Sequence, residues 1–140
     1  MNDFSQFIMN NFALVALFVA SGIMLMWPTL VKAIAGSREI GTLEVTRLIN
    51  TGHALVLDVR DSQEFSLGRI PKSKNIPLGE IEKRLDEINR FKDKPVIVAC
   101  KSGTRAGHAA RMLKRTGFGD VYQLQGGFPA WQQASLPVEK

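Results

Sequence analysis

The chain has 140 residues, a length that suits one domain, and its 18 Lys and Arg against 13 Asp and Glu give a net charge of +5. Its single cysteine excludes an intrachain disulfide framework and argues against a multi-cysteine zinc site; the only two histidines, His53 and His108, are far apart in sequence. Basic residues form no run of five and do not interleave with aromatics, so the charge points away from nucleic acid and toward an anionic membrane surface or a small anionic substrate.

From Phe4 to Val31 no residue is charged. Within this stretch, Phe12 to Val31 is apolar for long enough to cross the hydrocarbon core of a bilayer as a helix. Trp27 falls near its end, where an indole suits the membrane interface. Lys32 and Arg38 follow and only Asp3 precedes, which predicts the N-terminus outside and the rest of the chain in the cytoplasm. A signal peptide would need a positive start and a shorter apolar run, although Ala33-Ile34-Ala35 resembles a cleavage site. A buried soluble helix would seldom be apolar all round. The expected organisation is an anchor over residues 1–35 (span about 12–31), a linker over 36–41 and a domain over 42–140.

In chain order, Thr42 is expected to cap a helix reaching Asn50, with Val45, Leu48 and Ile49 on one face and Thr51-Gly52 ending it. Ala54 to Val59 is a continuous apolar run that suits a buried parallel strand. Asp61 caps a short helix stopped by Gly68, and Asn75 to Pro77 forms a brief strand. Ile81, Leu85, Ile88 and Phe91 predict an amphipathic helix over 80–91. Val96 to Ala99 is a second buried strand, residues 104–116 a helix with Ala106, Ala109, Ala110 and Leu113 inward, and Val121 to Leu124 a third strand. A short helix near Pro129 to Gln133 follows Gly126-Gly127. Alternating strands and helices imply an α/β fold, a small parallel sheet covered by helices on both faces.

Sites in such sheets gather beyond the carboxyl ends of the strands, where Cys100 and Asp58 to Arg60 fall. The loop Cys100-Lys101-Ser102-Gly103-Thr104-Arg105 joins a strand to a helix. Backbone N–H groups at such a turn converge on its centre, and the helix dipole adds positive charge. With Lys101 and Arg105 beside it, the Cys100 thiol is expected to ionise at neutral pH and act as a nucleophile. Lys101, Ser102, Gly103, Thr104 and Arg105 are the expected substrate-binding residues. A lone cysteine at a strand end is otherwise more often a small buried hydrophobe. Asp58, Arg60 and Glu64 are expected to support the loop, with Arg60 pairing to Glu64, rather than to react. His53 and His108 are expected at the surface and Trp131 in the core.

The loop CKSGTR resembles the active-site loop of the rhodanese superfamily. Leu57-Asp58-Val59-Arg60, Glu64-Phe65, Gly68-Arg69-Ile70-Pro71, Asn75-Ile76-Pro77 and Leu124-Gln125-Gly126-Gly127-Phe128-Pro129-Ala130-Trp131 resemble other motifs of that family, in the same order. With its apolar N-terminus the chain resembles the small membrane-attached rhodaneses of Gram-negative bacteria, which implies an inner-membrane location. The resemblance implies a sulfurtransferase. Cys100 would take sulfur from a small anionic donor such as thiosulfate and become a covalent persulfide. A thiophilic acceptor, cyanide or a thiol of a small molecule or protein, would then remove it. No metal or organic cofactor is implied. Arg69 stands where many members carry histidine, and Lys72-Ser73-Lys74 replaces a Gly-Ala stretch.

Two other functions compete. A phosphatase or arsenate reductase would use a related loop with five residues between cysteine and arginine; here the interval holds four, Lys101 to Thr104. A membrane-tethered sulfur carrier would form the same persulfide with little turnover.

Overall fold

The computed structural model describes residues 2–34 and 37–140. The chain divides into two compact units, Met1–Ala35 and Gly36–Lys140; the anchor–linker boundary expected at residues 35 and 36 lies outside the described residues. The first unit holds two helices, α1 (Asp3–Asn10) and α2 (Phe12–Ile34). Asn11 separates them, its side-chain amide donating to the Phe7 carbonyl at 2.9 Å. Helix α2 contains the 20-residue apolar window Phe12–Val31, long enough to cross a membrane, and none of that window is buried.

The second unit is built on five parallel strands, β1 (Arg38–Ile40), β2 (Leu55–Asp58), β3 (Lys74–Asn75), β4 (Val96–Ala99) and β5 (Val121–Leu124), in the order β1-β5-β4-β2-β3. The central strands β2 and β4 are buried along their whole length, as their unbroken apolar runs require. Period-two alternation divides their side chains between two faces. Leu55, Leu57, Val96, Val98 and Cys100 face one cluster, together with Ala106, Ala109, Ala110 and Leu113 of helix α5 (Gly103–Arg115). Val56, Ile97 and Ala99 face the other, with Val45 of α3 (Thr42–Asn50) and with Phe128 and Trp131 of α6 (Gly127–Gln133). Alanines on the inner face of α5 let that helix lie close to the sheet. The remaining helix, α4 (Ser62–Leu67), follows β2.

Two expectations are corrected. Arg38–Ile40, expected as linker, is an edge strand: Arg38, Glu39 and Ile40 pair with Tyr122, Gln123 and Leu124. Residues 80–91 are not an α-helix but successive 3-10 segments, Leu78–Glu80, Glu82–Glu87 and Asn89–Phe91, with a non-helical kink at Arg84. The spacing of Leu85, Ile88 and Phe91 is three residues each, the period of a 3-10 turn, where i and i+3 eclipse. That winding buries Ile81 and Ile88 in the core. Arg84 spans the kink, bonding Glu80 at 2.9 Å and Glu87 at 2.5 Å. Hydrogen bonds from Arg84 and then Lys74 hold the Glu87 carboxyl down at about 2.

Candidate active site

Strand β4 ends at Ala99 and delivers Cys100 fully buried at the sheet's carboxyl edge. Alternation along the strand turns its side chain toward α5. The Cys100 carbonyl accepts the Phe128 N–H at 2.8 Å, which ties the loop to the start of α6. Gly127 makes that approach possible. Its φ is +64°, and a Cβ there would collide with the Cys100 carbonyl oxygen. Gly126, at φ +75°, leaves no room for a side chain against the Cβ of Ala130. Gly127 therefore lets the start of α6 pack directly against the Cys100 backbone.

The loop turns through Lys101 and Ser102, and α5 starts at Gly103. Lys101, Ser102, Gly103 and Thr104 are exposed, and Arg105 is partly buried. The Cys100 thiol donates to the Ser102 carbonyl oxygen. Burial pushes the Cys100 thiol above its ordinary value; backbone hydrogen bonding at Ala106 and Ser102 and the charge of Arg105 only partly offset this, and Asp58 adds to the rise. The expectation of a thiolate at neutral pH is thus corrected for the resting site. The cationic loop is present, but the sulfur lies in the core, where removal from water opposes charge. Ala106, one residue past the expected substrate-binding stretch, supplies the backbone contact that counts most in favour of the thiolate. The expected consequence is kinetic. Alkylation of Cys100 by iodoacetamide should keep rising with pH through about 9, because the thiolate fraction is still growing there. A plateau below about pH 7 would show a thiol that ionises early.

The supporting residues sit where the sequence placed them, but with different partners. Arg60 does not pair with Glu64. Its Nε and Nη2 grip the Asp58 carboxylate at 3.0 and 2.7 Å, its backbone N–H adds 3.0 Å to the same group, and Nη2 also donates to the Gly68 carbonyl at 2.7 Å. Asp58 is 0% and Arg60 4% exposed. The guanidinium also lies over the Phe128 ring, 4.1 Å from its centroid. Asn75 closes the corner by donating to the carbonyls of Asp58 and Arg60 at 3.0 and 2.9 Å. Asp58 at the end of β2 and Arg60 two residues on thus satisfy one another because strand pleating and the tight turn bring them to one side.

Glu64 meets Arg105 instead, at 3.4 Å, and accepts the Asp61 N–H at 3.1 Å, bracing the start of α4. Burial raises the Glu64 carboxyl, but the Asp61 N–H, the Arg105 hydrogen bond and the charges of Arg105 and Lys101 outweigh it and leave the group below its ordinary value. Arg105 is therefore partly neutralised, and Lys101 is the loop cation with no ion pair among the described residues. A pocket of about 360 Å3 opens beside the loop, bounded by Arg60, Glu64, Lys101 and Phe128 among others. His53 is exposed, and His108 is exposed beside Arg111; neither borders this pocket. Trp131 is core, with its indole N–H donating to the Pro137 carbonyl at 2.8 Å. Among the described residues, no group of three or more His, Cys, Asp or Glu side chains could hold a metal ion.

The family model for the rhodanese-like domain matches residues 42–134. The chain belongs to the rhodanese-like sulfurtransferase family. Rhodanese relatives agree over most of the second unit. The thiosulfate sulfurtransferase GlpE of Actinobacillus succinogenes is 38% identical over 95 residues, covering 66% of this chain and 81% of that protein. An uncharacterised protein of Bacillus subtilis, YqhL, is 41% identical over 78 residues, covering 56% of this chain; the chain spans only 60% of that relative's length. Among solved rhodanese folds, the human single-domain sulfurtransferase TSTD1 superposes with a TM-score of 0.60 at 26% identity, covering 70% of this chain and 97% of that one. Within this rhodanese framework, the sequence marked the Cys100–Arg105 loop and singled out Asp58, Arg60 and Glu64, but paired Arg60 with Glu64 rather than with Asp58. It had not identified Ala106, Asn75 or the role of Gly127 beneath the cysteine; the Gly-Gly pair was the only visible signal for the last.

Proposed function

We propose that this protein transfers sulfane sulfur through Cys100. The observation that carries the reading is the delivery of the only cysteine by β4 to the loop at the start of α5 that also carries Lys101 and Arg105. The thiol loses its proton to water, and the thiolate attacks the outer sulfur of thiosulfate. A sulfur–sulfur bond forms to Cys100, the donor's own sulfur–sulfur bond breaks, and sulfite leaves with its electron pair. Backbone N–H groups near Ser102 and Ala106 stabilise the persulfide anion, and Lys101 attracts the anionic donor. Cyanide in an assay, or a thiol of a small molecule or protein in the cell, attacks the terminal sulfur and releases the Cys100 thiolate. This chemistry needs neither metal nor organic cofactor.

In this reading the protein works at a membrane, held by helix α2. Its apolar length suits a single span, and the positive flank that follows favours an N-terminus outside and the sulfur-transfer unit at the cytoplasmic face of an inner membrane. The expected result is multiple turnovers of thiocyanate from thiosulfate and cyanide by the full chain in detergent micelles, with no hydrolysis of a phosphoester. Phosphoester turnover without thiocyanate would contradict the proposal. A single stoichiometric release of thiocyanate would instead identify a sulfur carrier.

A further inference from the structure

All five strands are parallel, so their amino ends share one rim of the sheet and their carboxyl ends, followed by Cys100, share the opposite rim. The chain enters the second unit at the amino rim. Strand β1 starts at Arg38, paired with Tyr122 near the start of β5. The Gln123 amide donates to the Ser37 hydroxyl, which ties the residue before β1 to the sheet. In sequence, only Ala35 and Gly36 separate Ser37 from Ile34, the last residue of helix α2. Three residue steps reach at most about 11 Å, so the tether is short.

Two loops close the same rim. Residues 92–95 lead into β4, and residues 116–120 lead from α5 into β5. They are bonded together: the Gly119 N–H donates to the Lys92 carbonyl at 3.2 Å, and the Val96 N–H to the Asp120 carbonyl at 2.9 Å. These loops, the 3-10 segment Asn89–Phe91 and the last turn of α5 carry Arg90, Lys92, Lys94, Lys114 and Arg115, and Arg38 adds a sixth cation on β1. None of the six makes an ion pair among the described residues. Glu39, Asp93 and Asp120 are the acids on the same segments, so positive charge prevails. Arg90 and Lys94 stand over the Phe91 ring, 4.9 and 5.6 Å from its centroid, and that ring packs against the core. At the carboxyl rim, by contrast, Arg60 and Arg105 each hold a carboxylate.

We propose that the amino rim is a docking surface for the anionic headgroups of the bilayer that α2 spans, and that it turns the carboxyl rim with Cys100 toward the cytosol. This rests on the reading of α2 as a membrane span with the second unit on the cytoplasmic side. Lys and Arg are drawn to an anionic leaflet, and the attraction falls off within a Debye length, about 8 Å at physiological salt. The short tether supplies the high effective concentration that such a contact needs. Cys100 lies five residues beyond Pro95, about 16 Å along the strand direction at the usual rise. That exceeds the Debye length, so the same anionic surface does not repel an anionic sulfur donor from the thiol. The arrangement suits donors and acceptors that arrive from water rather than from the lipid.

The test uses the full chain reconstituted in vesicles of phosphatidylcholine, alone or mixed with phosphatidylglycerol, each with a nitroxide-headgroup lipid as quencher. In a Cys100→Ser background, a fluorophore is attached at Gly119→Cys on the amino rim or at Ser62→Cys at the start of α4. Quenching at position 119 should be several-fold stronger in the phosphatidylglycerol vesicles. It should fall to the phosphatidylcholine level at about 1 M salt, where the Debye length is about 3 Å. Position 62 should show no such difference. Lys94→Glu combined with Arg115→Glu should bring position 119 to its phosphatidylcholine level, while the same two changes in the chain that keeps Cys100 leave thiocyanate formation in micelles unaltered. Quenching at position 119 that ignores lipid charge and salt, in protein still retained by the vesicles after an alkaline wash, would overturn the docking surface and leave the anchor standing. Loss of the protein from both kinds of vesicle in that wash would overturn the membrane span and the docking surface that rests on it.

Discussion

Cys100→Ser should lower kcat/KM for thiocyanate formation by at least about a thousandfold, the scale on which enzymes lose rate when a covalent nucleophile is removed. A serine hydroxyl is nearly the size of the thiol, and in this buried position it can make the same donation to the Ser102 carbonyl. The fold should therefore survive, with an unchanged thermal midpoint. The chemistry should not: an alcohol neither ionises in this range nor forms a stable bond to sulfane sulfur. Because the chain has one cysteine, no neighbouring thiol can take over. Residual turnover near the wild-type rate would place the sulfur elsewhere.

Asp58→Ala should cost about 3–5 kcal/mol of stability, read from urea denaturation of the full chain in micelles. Among the described residues, the carboxylate is the only anionic partner of Arg60, whose side chain lies between the Gly68 carbonyl and the Phe128 ring. Removing it leaves a buried guanidinium with two neutral contacts. That loss is a large share of the roughly 5–15 kcal/mol that holds an ordinary domain together. The double variant Asp58→Leu with Arg60→Met should recover most of it, because replacing a whole buried pair by apolar groups is often close to neutral. A loss below about 1 kcal/mol for Asp58→Ala would show that the pair contributes no more than a surface bridge.

What the sequence revealed depended on how local the physics was. The buried strands β2 and β4 declare themselves as unbroken apolar runs, and α5 by four inward residues at helical spacing. Strand β1 does not. It has three residues, two of them exposed, and its pairing with β5 is set by backbone groups more than eighty positions away. The stretch 80–91 offered both a helical and a threefold spacing, and core packing of Ile81 and Ile88 selected the 3-10 winding.

The site divides in the same way. Cys100 and its cationic loop are contiguous and were legible. The partner of Arg60 was misread because burial, not helical spacing, selects Asp58 over Glu64. The partner of Glu64 lies 41 residues away, at Arg105. The protonation of Cys100 was misread for a related reason: loop charges are visible in sequence, whereas the depth at which β4 leaves the sulfur is not. A thiol whose ionisation is opposed by burial and partly favoured by backbone hydrogen bonds and Arg105 still supplies the thiolate that persulfide chemistry needs as pH rises. It predicts slow attack at neutral pH relative to an exposed low-pKa thiol.

The most direct measurement is the intact mass of the full chain after exposure to thiosulfate and removal of excess donor. Sulfur transfer through Cys100 predicts a gain of one sulfur atom, located to the Cys100 peptide, lost on adding cyanide and never formed by Cys100→Ser. An unchanged mass in the wild-type protein, or the same gain in Cys100→Ser, would contradict it.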